Sequence, residues 1–287
     1  MKARWKTHLT LSRLQAELEN LRSDNQFRRL GSVSGVNLCS NDYLGLSRDS
    51  RLKGVIRSAL DQETVSSTGS RLLSGHHDAW DALEAKLASF VGAEGAVYFS
   101  SGYMANLGLF TSIIPPTATV FSDSANHASI IDGIRLARCR KIIFPHGDLD
   151  ALERALRSTT GPGERFIVSE SIFSMDGDCA KLGDVYGLAD RYDAGLIIDE
   201  AHATGVAGPN GRGLVAARGR PDSVLATLHT CGKALASMGA FIACSETLRQ
   251  YLINKARSFI FTTALPPYCS ANQFGRIDRA GRHRKTR

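Results

Sequence analysis

The feature that most limits how this chain can fold is an alternation running from Ala96 to Ala243. Short, continuously apolar runs at 96–100, 119–122, 141–144, 166–168, 195–198, 224–228 and 241–243 alternate with longer stretches of helical period at 104–112, 126–137, 149–157 and 182–192. Strands that are apolar at every position, rather than at every second one, are buried on both faces. That pattern belongs to a largely parallel sheet with helices on both sides, an α/β fold. Upstream, Leu11, Leu14, Leu18 and Leu21 stand at helical steps. Residues 32–39 read as a short extended segment, 41–46 as a turn and 51–62 as a short helix. The run 66–77 is polar, glycine-rich and longer than a minimal connection, as a functional loop would be. Asp78 is expected to cap the helix that follows, whose apolar face is Trp80, Leu83, Leu87, Phe90 and Val91 and whose end is Gly92.

Chemistry-bearing residues fall at the ends of these strands. Lys233 sits in a small-residue turn after the run 224–228, where a poorly solvated amine can lose its proton and condense with a carbonyl; an ordinary surface lysine has the same local sequence. Asp199 follows the run 195–198 directly, at the carboxyl end of a strand, where open α/β sheets bind ligands. A carboxylate there can hold a metal together with Glu200 and His202, orient a histidine, or pair with a protonated ring nitrogen. Strand, glycine turn and helix at Ser101, Gly102 and Tyr103 present free backbone N–H groups to an anion such as phosphate. His127 stands at a predicted helix start, where a flat ring can stack on a flat cofactor or simply cap the helix. Amine, carboxylate and phosphate cradle, each at a strand end, are coherent with pyridoxal 5'-phosphate as cofactor. His76, His77, His146 and His229 have no such support and read as structural or exposed.

Composition removes other classes. The net charge of +7 suggests nucleic acid until it is located: residues 274–287 hold six Lys/Arg against one Asp, so the body is nearly neutral and no basic stripe with interleaved aromatics exists. No apolar run spans a bilayer, and the basic start lacks the apolar core of a secretory signal. Six cysteines are scattered without CxxC spacing, which argues against zinc and for a reducing, cytoplasmic setting. Gly208, Gly211 and Gly213 lack dinucleotide-fingerprint spacing. The 287 residues suffice for one large domain with a full core, or one plus a smaller domain.

With these residues in view, the chain resembles the α-oxoamine synthases, a branch of the fold-type-I pyridoxal-phosphate enzymes. The resemblance rests on Asn41-Asp42-Tyr43-Leu44-Gly45-Leu46, Ser101-Gly102-Tyr103 with Ala105-Asn106, Asn126-His127-Ala128-Ser129-Ile130, Phe173-Ser174-Met175-Asp176-Gly177-Asp178, Asp199-Glu200-Ala201-His202, Gly211-Arg212-Gly213, Gly232-Lys233-Ala234 and Phe261-Thr262-Thr263-Ala264-Leu265-Pro266-Pro267. It implies an N-terminal segment at 1–45, a cofactor-binding large domain at 46–267 and, in place of most of a C-terminal small domain, a basic tail at 268–287 that reads like the out-of-frame end of an interrupted frame. It further implies that Lys233 bonds the cofactor and moves the substrate Cα proton. Asp199 pairs with the pyridine nitrogen, His127 stacks on the ring, and His202 and Ser174 lie near its phenolic oxygen. Gly102, Tyr103 and Thr230 hold the phosphate, and Thr262 or Thr263 reaches the phosphate of a partner subunit in a homodimer. Asn41 touches the substrate carboxylate and Arg22 the thioester. The run from Thr68 to Gly75 looks most like the branch that condenses L-alanine with a pimeloyl thioester of CoA or acyl-carrier protein in biotin synthesis. A glycine C-acetyltransferase activity, or a non-catalytic remnant without the substrate clamp, are the alternatives.

Overall fold

The computed structural model describes residues 9–219 and 223–270. The expected tail lies outside these from residue 271 onward. The chain divides into two compact units, Met1–Ser40 and Asn41–Arg287. In the first, α1 (Leu9–Ser23) carries the predicted leucines on exposed positions and ends with Arg22, whose guanidinium lies 4.4 Å from the centre of the Phe27 ring. The extended segment expected at 32–39 does not form. Gly35 takes a positive φ of 81°, and the Asn37 side chain accepts the Cys39 N–H at 3.0 Å, so the backbone turns locally instead of pairing.

The second unit begins with a 3₁₀ turn (Leu46–Arg48), α2 (Ser50–Gln62) and α3 (Asp78–Val91). Then come β1 (Gly95–Phe99), α4 (Gly102–Ile113), β2 (Thr119–Asp123), α5 (Ala128–Ala137), β3 (Arg140–Phe144), α6 (Leu149–Ser158), β4 (Arg165–Glu170), α7 (Leu182–Arg191) and β5 (Ala194–Asp199). A 3₁₀ turn (Pro209–Gly211), α8 (Leu214–Arg218), β6 (Val224–Thr230), β7 (Ala240–Cys244), α9 (Glu246–Lys255) and α10 (Arg257–Ile260) complete it. The strands form one sheet in the order β1-β7-β6-β5-β4-β2-β3. Pairings among β2 to β6 are parallel, and β7 runs antiparallel to both its neighbours. The mostly parallel α/β sheet read from the sequence is therefore the fold.

Side chains along the strands alternate between the two faces of the sheet, and both faces are buried. Val97, Phe99, Phe166, Val168, Ile197 and Ile242 pack toward α4, α5 and α10 through Leu109, Ile130 and Phe259. On the opposite face, Phe121, Ile167, Leu196 and Ile198 meet Leu152, Leu156 and Leu182 of α6 and α7. Tyr98 and Phe241 meet Trp80, Leu83 and Leu87 of α3. Each such side chain, fully buried, contributes roughly 1.5–3 kcal/mol of transfer free energy. The cap of α3 is His77 rather than Asp78: its Nδ1 accepts the Ala79 N–H at 3.2 Å, and Asp78 already has the first helical position, where its charge still favours the helix start. Gly92 ends α3 at φ 75°, as its position predicts.

This topology brings one edge of the sheet into use. β2, β4, β5 and β6 end respectively on Asp123, Glu170, Asp199 and Thr230. Parallel pairing sets Glu170 beside Asp199 in register. Four strand ends thus deliver three carboxylates and a hydroxyl to one rim. Among the described residues no helix is long and apolar enough to cross a membrane.

Candidate active site

The cradle forms where β1 turns into α4. The Ser101 hydroxyl accepts the Met104 N–H at 3.2 Å, and the Ser101 carbonyl takes that of Ala105 at 3.0 Å. The Gly102 and Tyr103 N–H groups are left for a ligand at the helix start, where the backbone dipoles favour an anion. A methyl group built on Gly102 would lie 3.8 Å from Thr230 Cβ and 3.9 Å from Leu228 Cδ2, so the glycine packs against the end of β6. Thr230 forms the far wall. The Tyr103 hydroxyl donates to Asp132, which keeps the ring at the rim.

Asp199 lies beneath, 5% exposed. One oxygen accepts the Ala201 N–H at 2.9 Å, the other an Asn106 Nδ2 hydrogen at 3.1 Å. Burial raises its pKa, opposed by those two hydrogen bonds and then by the charges of Lys233 and His127. Asn106 donates also to Ser129, whose hydroxyl meets His127 Nδ1 at 2.8 Å. A buried carboxylate, an amide, a hydroxyl and an imidazole thus form one connected layer.

Glu170 joins that layer, and sequence reading missed it. Its carboxylate accepts the His127 backbone N–H at 2.7 Å and is pushed up to about 8, first by burial and then by the charge of Asp199. The consequence for stability has a definite sign. Between about pH 4.5, where the unfolded carboxyl ionises, and about 8, the folded chain keeps a proton that the unfolded chain has lost. Stability therefore falls as pH rises through this window, by about 1.4 kcal/mol per unit at most, and levels above it. Glu170→Gln mimics the protonated form and keeps an acceptor for His127. Its melting temperature, measured on the cofactor-free chain, is expected to gain on the parent's steadily from pH 5 to about 8. A difference that stays constant across that range would contradict the assignment.

Lys233 follows β6 in the turn to β7. Its Nζ lies 2.8 Å from His202 Nε2, and His202 Nδ1 lies 2.8 Å from the Tyr43 hydroxyl. Burial lowers the Lys233 pKa, while Asp199 and then Glu170 oppose the shift. His202 is driven down to about 4 by burial, then by the positive charges of Lys233 and His127, so its ring is neutral. Lys233 and His202 are thus in direct contact, and the charge of Asp199 reaches Lys233.

Glu200 props this arrangement from below. Its Oε1 accepts the N–H groups of Leu214 and Val215, at 2.7 and 3.2 Å, which start α8. Gly213 passes so close that a Cβ there would lie 2.1 Å from Oε2, at a φ of 98° that disfavours any side chain. Gly211 packs closely on the Gly205 backbone, where a Cβ would lie 2.7 Å from the carbonyl oxygen, so both glycines serve the turn that follows Asp199 and His202.

The remaining expected residues are spread more widely. Ser174 stands on an exposed turn beyond β4. Thr262 and Thr263 line a small cavity of about 20 Å³ with Arg71 and Ser100. Asn41 holds Tyr43, accepting its hydroxyl at 3.1 Å. Arg22 belongs to the N-terminal unit described above. The loop 66–77, expected to be functional, is a buttress: Arg71 pairs with the buried Glu84, which also accepts the Tyr98 N–H at 2.7 Å. Gly69 and Gly75 touch through backbone, since a Cβ on Gly75 would lie 2.1 Å from the Gly69 carbonyl oxygen. Of the histidines set aside, His229 is a core residue stacked on Phe241, and His146 bridges Asp123 and Asp178 at 2.9 and 3.0 Å. His76 and His77 pair near the surface with Asp81 and Glu63.

Residues 33–277 match the family described as aminotransferase class I and II. An 8-amino-7-oxononanoate synthase of Burkholderia thailandensis is 48% identical over 82% of this chain and 61% of its own length. One of Lysinibacillus sphaericus is 46% identical over 79% and 59%, and one of Citrifermentans bemidjiense 42% over 91% and 70%. The chain thus spans about three fifths of the length of the first two of these curated relatives. Among solved structures, a serine palmitoyltransferase from S. paucimobilis with bound PLP–myriocin aldimine superimposes with a TM-score of 0.88 at 27% identity, covering 97% of this chain and 74% of that one. An 8-amino-7-oxononanoate synthase from Francisella tularensis gives 0.75 at 31% identity, over 86% and 70%.

Proposed function

The chain belongs to the class I and II aminotransferase family, and from that premise we propose that it binds pyridoxal 5'-phosphate at the carboxyl edge of its sheet and joins L-alanine to a pimeloyl thioester. The products of that condensation are 8-amino-7-oxononanoate, carbon dioxide and the free thiol, CoA or acyl-carrier protein. The observation that carries the reading is Lys233 Nζ lying 2.8 Å from His202 Nε2 while the buried charge of Asp199 acts on the same amine. The start of α4, where Gly102 lies beside Thr230, suits a phosphate. A buried carboxylate suits a ring nitrogen that must stay protonated.

When bound, pyridoxal phosphate supplies an electron sink for charge developing beside the amino nitrogen. The chain's own residues do the rest. The Gly102 and Tyr103 N–H groups and Thr230 hold the phosphate. Asp199, kept in place by Asn106 and the Ala201 N–H, accepts the hydrogen on the ring nitrogen. His127 would cover the ring of the bound cofactor, and His202 with Ser174 would hold it near its phenolic oxygen. Lys233 holds the cofactor covalently and then moves the proton at the alanine Cα, a task suited to an amine whose pKa burial has lowered. Asn41 takes the substrate carboxylate.

Residues 46–267 are the cofactor domain in this reading, and the working unit is a homodimer in which Thr262 or Thr263 reaches the partner's phosphate. The exposed Phe261 ring beside them is what a segment covered by a second copy would present. Six free cysteines suit a reducing compartment, the cytoplasm.

The test is a product assay. Chain loaded with pyridoxal phosphate is given alanine or glycine with a pimeloyl or acetyl thioester, and products are read by mass spectrometry. 8-Amino-7-oxononanoate from alanine and the pimeloyl donor is expected. Turnover with glycine and acetyl donor alone would move the assignment to another member of the same family.

A further inference from the structure

Three hydrogen bonds run in line from Lys233 to Asn41. Lys233 Nζ meets His202 Nε2 at 2.8 Å, His202 Nδ1 meets the Tyr43 hydroxyl at 2.8 Å, and that hydroxyl donates to Asn41 Oδ1 at 3.1 Å. The partners lie far apart in sequence, and the Tyr43–His202 contact spans 159 residues. None of the roles assigned above uses Tyr43.

The order of donors along this line is fixed from its far end. The Asn41 amide oxygen only accepts, so the Tyr43 hydrogen is committed to it. The Tyr43 oxygen can then only accept from His202 Nδ1. A neutral imidazole carries one N–H, and with that hydrogen on Nδ1 the Nε2 lone pair faces Lys233, which donates. The reverse order would set two lone pairs against each other between Tyr43 and Asn41. We propose that Tyr43 is a positioning residue that holds His202 in its Nδ1–H tautomer and so keeps the Nε2 lone pair aimed at the Lys233 amine. The importance of that amine rests on the function proposed above; the order of hydrogen bonds does not.

The device ties the amine to the turn 41–46, because Asn41 and Tyr43 stand on one short segment. The half-buried His202 ring is then locked from both sides, on one by the lysine and on the other by the tyrosine. A group that meets the reacting amine needs this kind of support from behind to hold its orientation.

The experiment uses the cofactor-free full chain with ¹⁵N-labelled histidine. Two-bond proton–nitrogen correlation distinguishes the two tautomers, and His202→Asn identifies the His202 signals among the eight histidines. The parent chain is expected to show the Nδ1–H form in excess, by about tenfold for one net hydrogen bond of about 1.4 kcal/mol. In Tyr43→Phe the Nδ1 acceptor is gone, and the Nδ1–H excess is expected to shrink. In Asn41→Ala the hydroxyl hydrogen is released to turn onto Nδ1, and the share of the Nε2–H form is expected to rise. An Nε2–H form in the parent overturns the proposal, as does an Nδ1–H form that neither substitution moves. Should Tyr43→Phe not fold, the parent and Asn41→Ala spectra decide between these outcomes. No cofactor or substrate is present, so a failed product assay sinks the function and leaves this result standing.

Discussion

Lys233→Ala is expected to abolish the borohydride-reducible linkage between chain and pyridoxal phosphate, and with it measurable condensation. A side chain that both bonds the cofactor and moves a proton contributes at least about 10²–10⁴ in rate through the proton alone. The fold should survive, because Lys233 is half-buried and makes its hydrogen bond to a histidine that Tyr43 also holds. Two measurements check this: mass spectrometry of the borohydride-treated chain, which locates the modified lysine, and absorbance of the reconstituted protein. Lys181, just before α7, and Lys255, the last residue of α9, are the informative alternatives. A linkage that persists on either of them removes Lys233 from the role.

The electrostatics explain why this amine and no ordinary surface lysine fits. Burial alone pushes Lys233 toward neutrality, while Asp199 and Glu170 pull it back toward charge. Asp199 in turn raises Glu170, since two negative charges at neighbouring strand ends are costly together. Pocket protonation is therefore a shared property of three groups on β4, β5 and the turn after β6.

How much of this is legible in sequence depends on whether the signal is local. The strands are legible, because short runs that are apolar at every position and bounded by turn residues seldom form anything but buried strands. Asp199 is legible too, because it directly ends one of them. Glu170 ends β4 in the same way after Phe166, Ile167 and Val168, and the same rule applied there finds it. It escapes notice because a carboxylate after a serine looks like a solvated strand end until parallel pairing sets it beside Asp199. Tyr43 and His202 both stand inside visible motifs, yet their contact is made by the fold alone. The loop 66–77 is legible only as polar and glycine-rich; the Arg71–Glu84 pair that braces it joins residues thirteen apart and is made by the fold. Helix α9 escapes because its sequence is mostly polar; its start depends on Ser245, whose hydroxyl accepts the Leu248 N–H at 3.3 Å.

Asp199→Asn is expected to move stability and activity in opposite directions. In the cofactor-free chain the carboxylate is buried and its pKa is raised, so its charged form is disfavoured by folding. The raised value means that stability is lost as pH climbs from the unfolded carboxyl's pKa through the folded one, and above both the full cost is present. Asparagine removes that cost. Its oxygen can still accept the Ala201 N–H, and Asn106 can turn its own oxygen toward the new amide hydrogens. The cofactor-free variant should therefore melt higher than the parent at alkaline pH. Turnover should fall by about 10²–10³, the usual cost of removing one preorganised electrostatic partner, and cofactor affinity should weaken with it. Calorimetry of the cofactor-free chain and rates of the reconstituted one give the two halves. A purely structural carboxylate would behave otherwise, losing stability on substitution while the reconstituted rate held. That pattern would leave Lys233 without its proposed counterpart across the ring, whereas a more stable and less active variant ties the buried charge at the end of β5 to the cofactor it is proposed to hold.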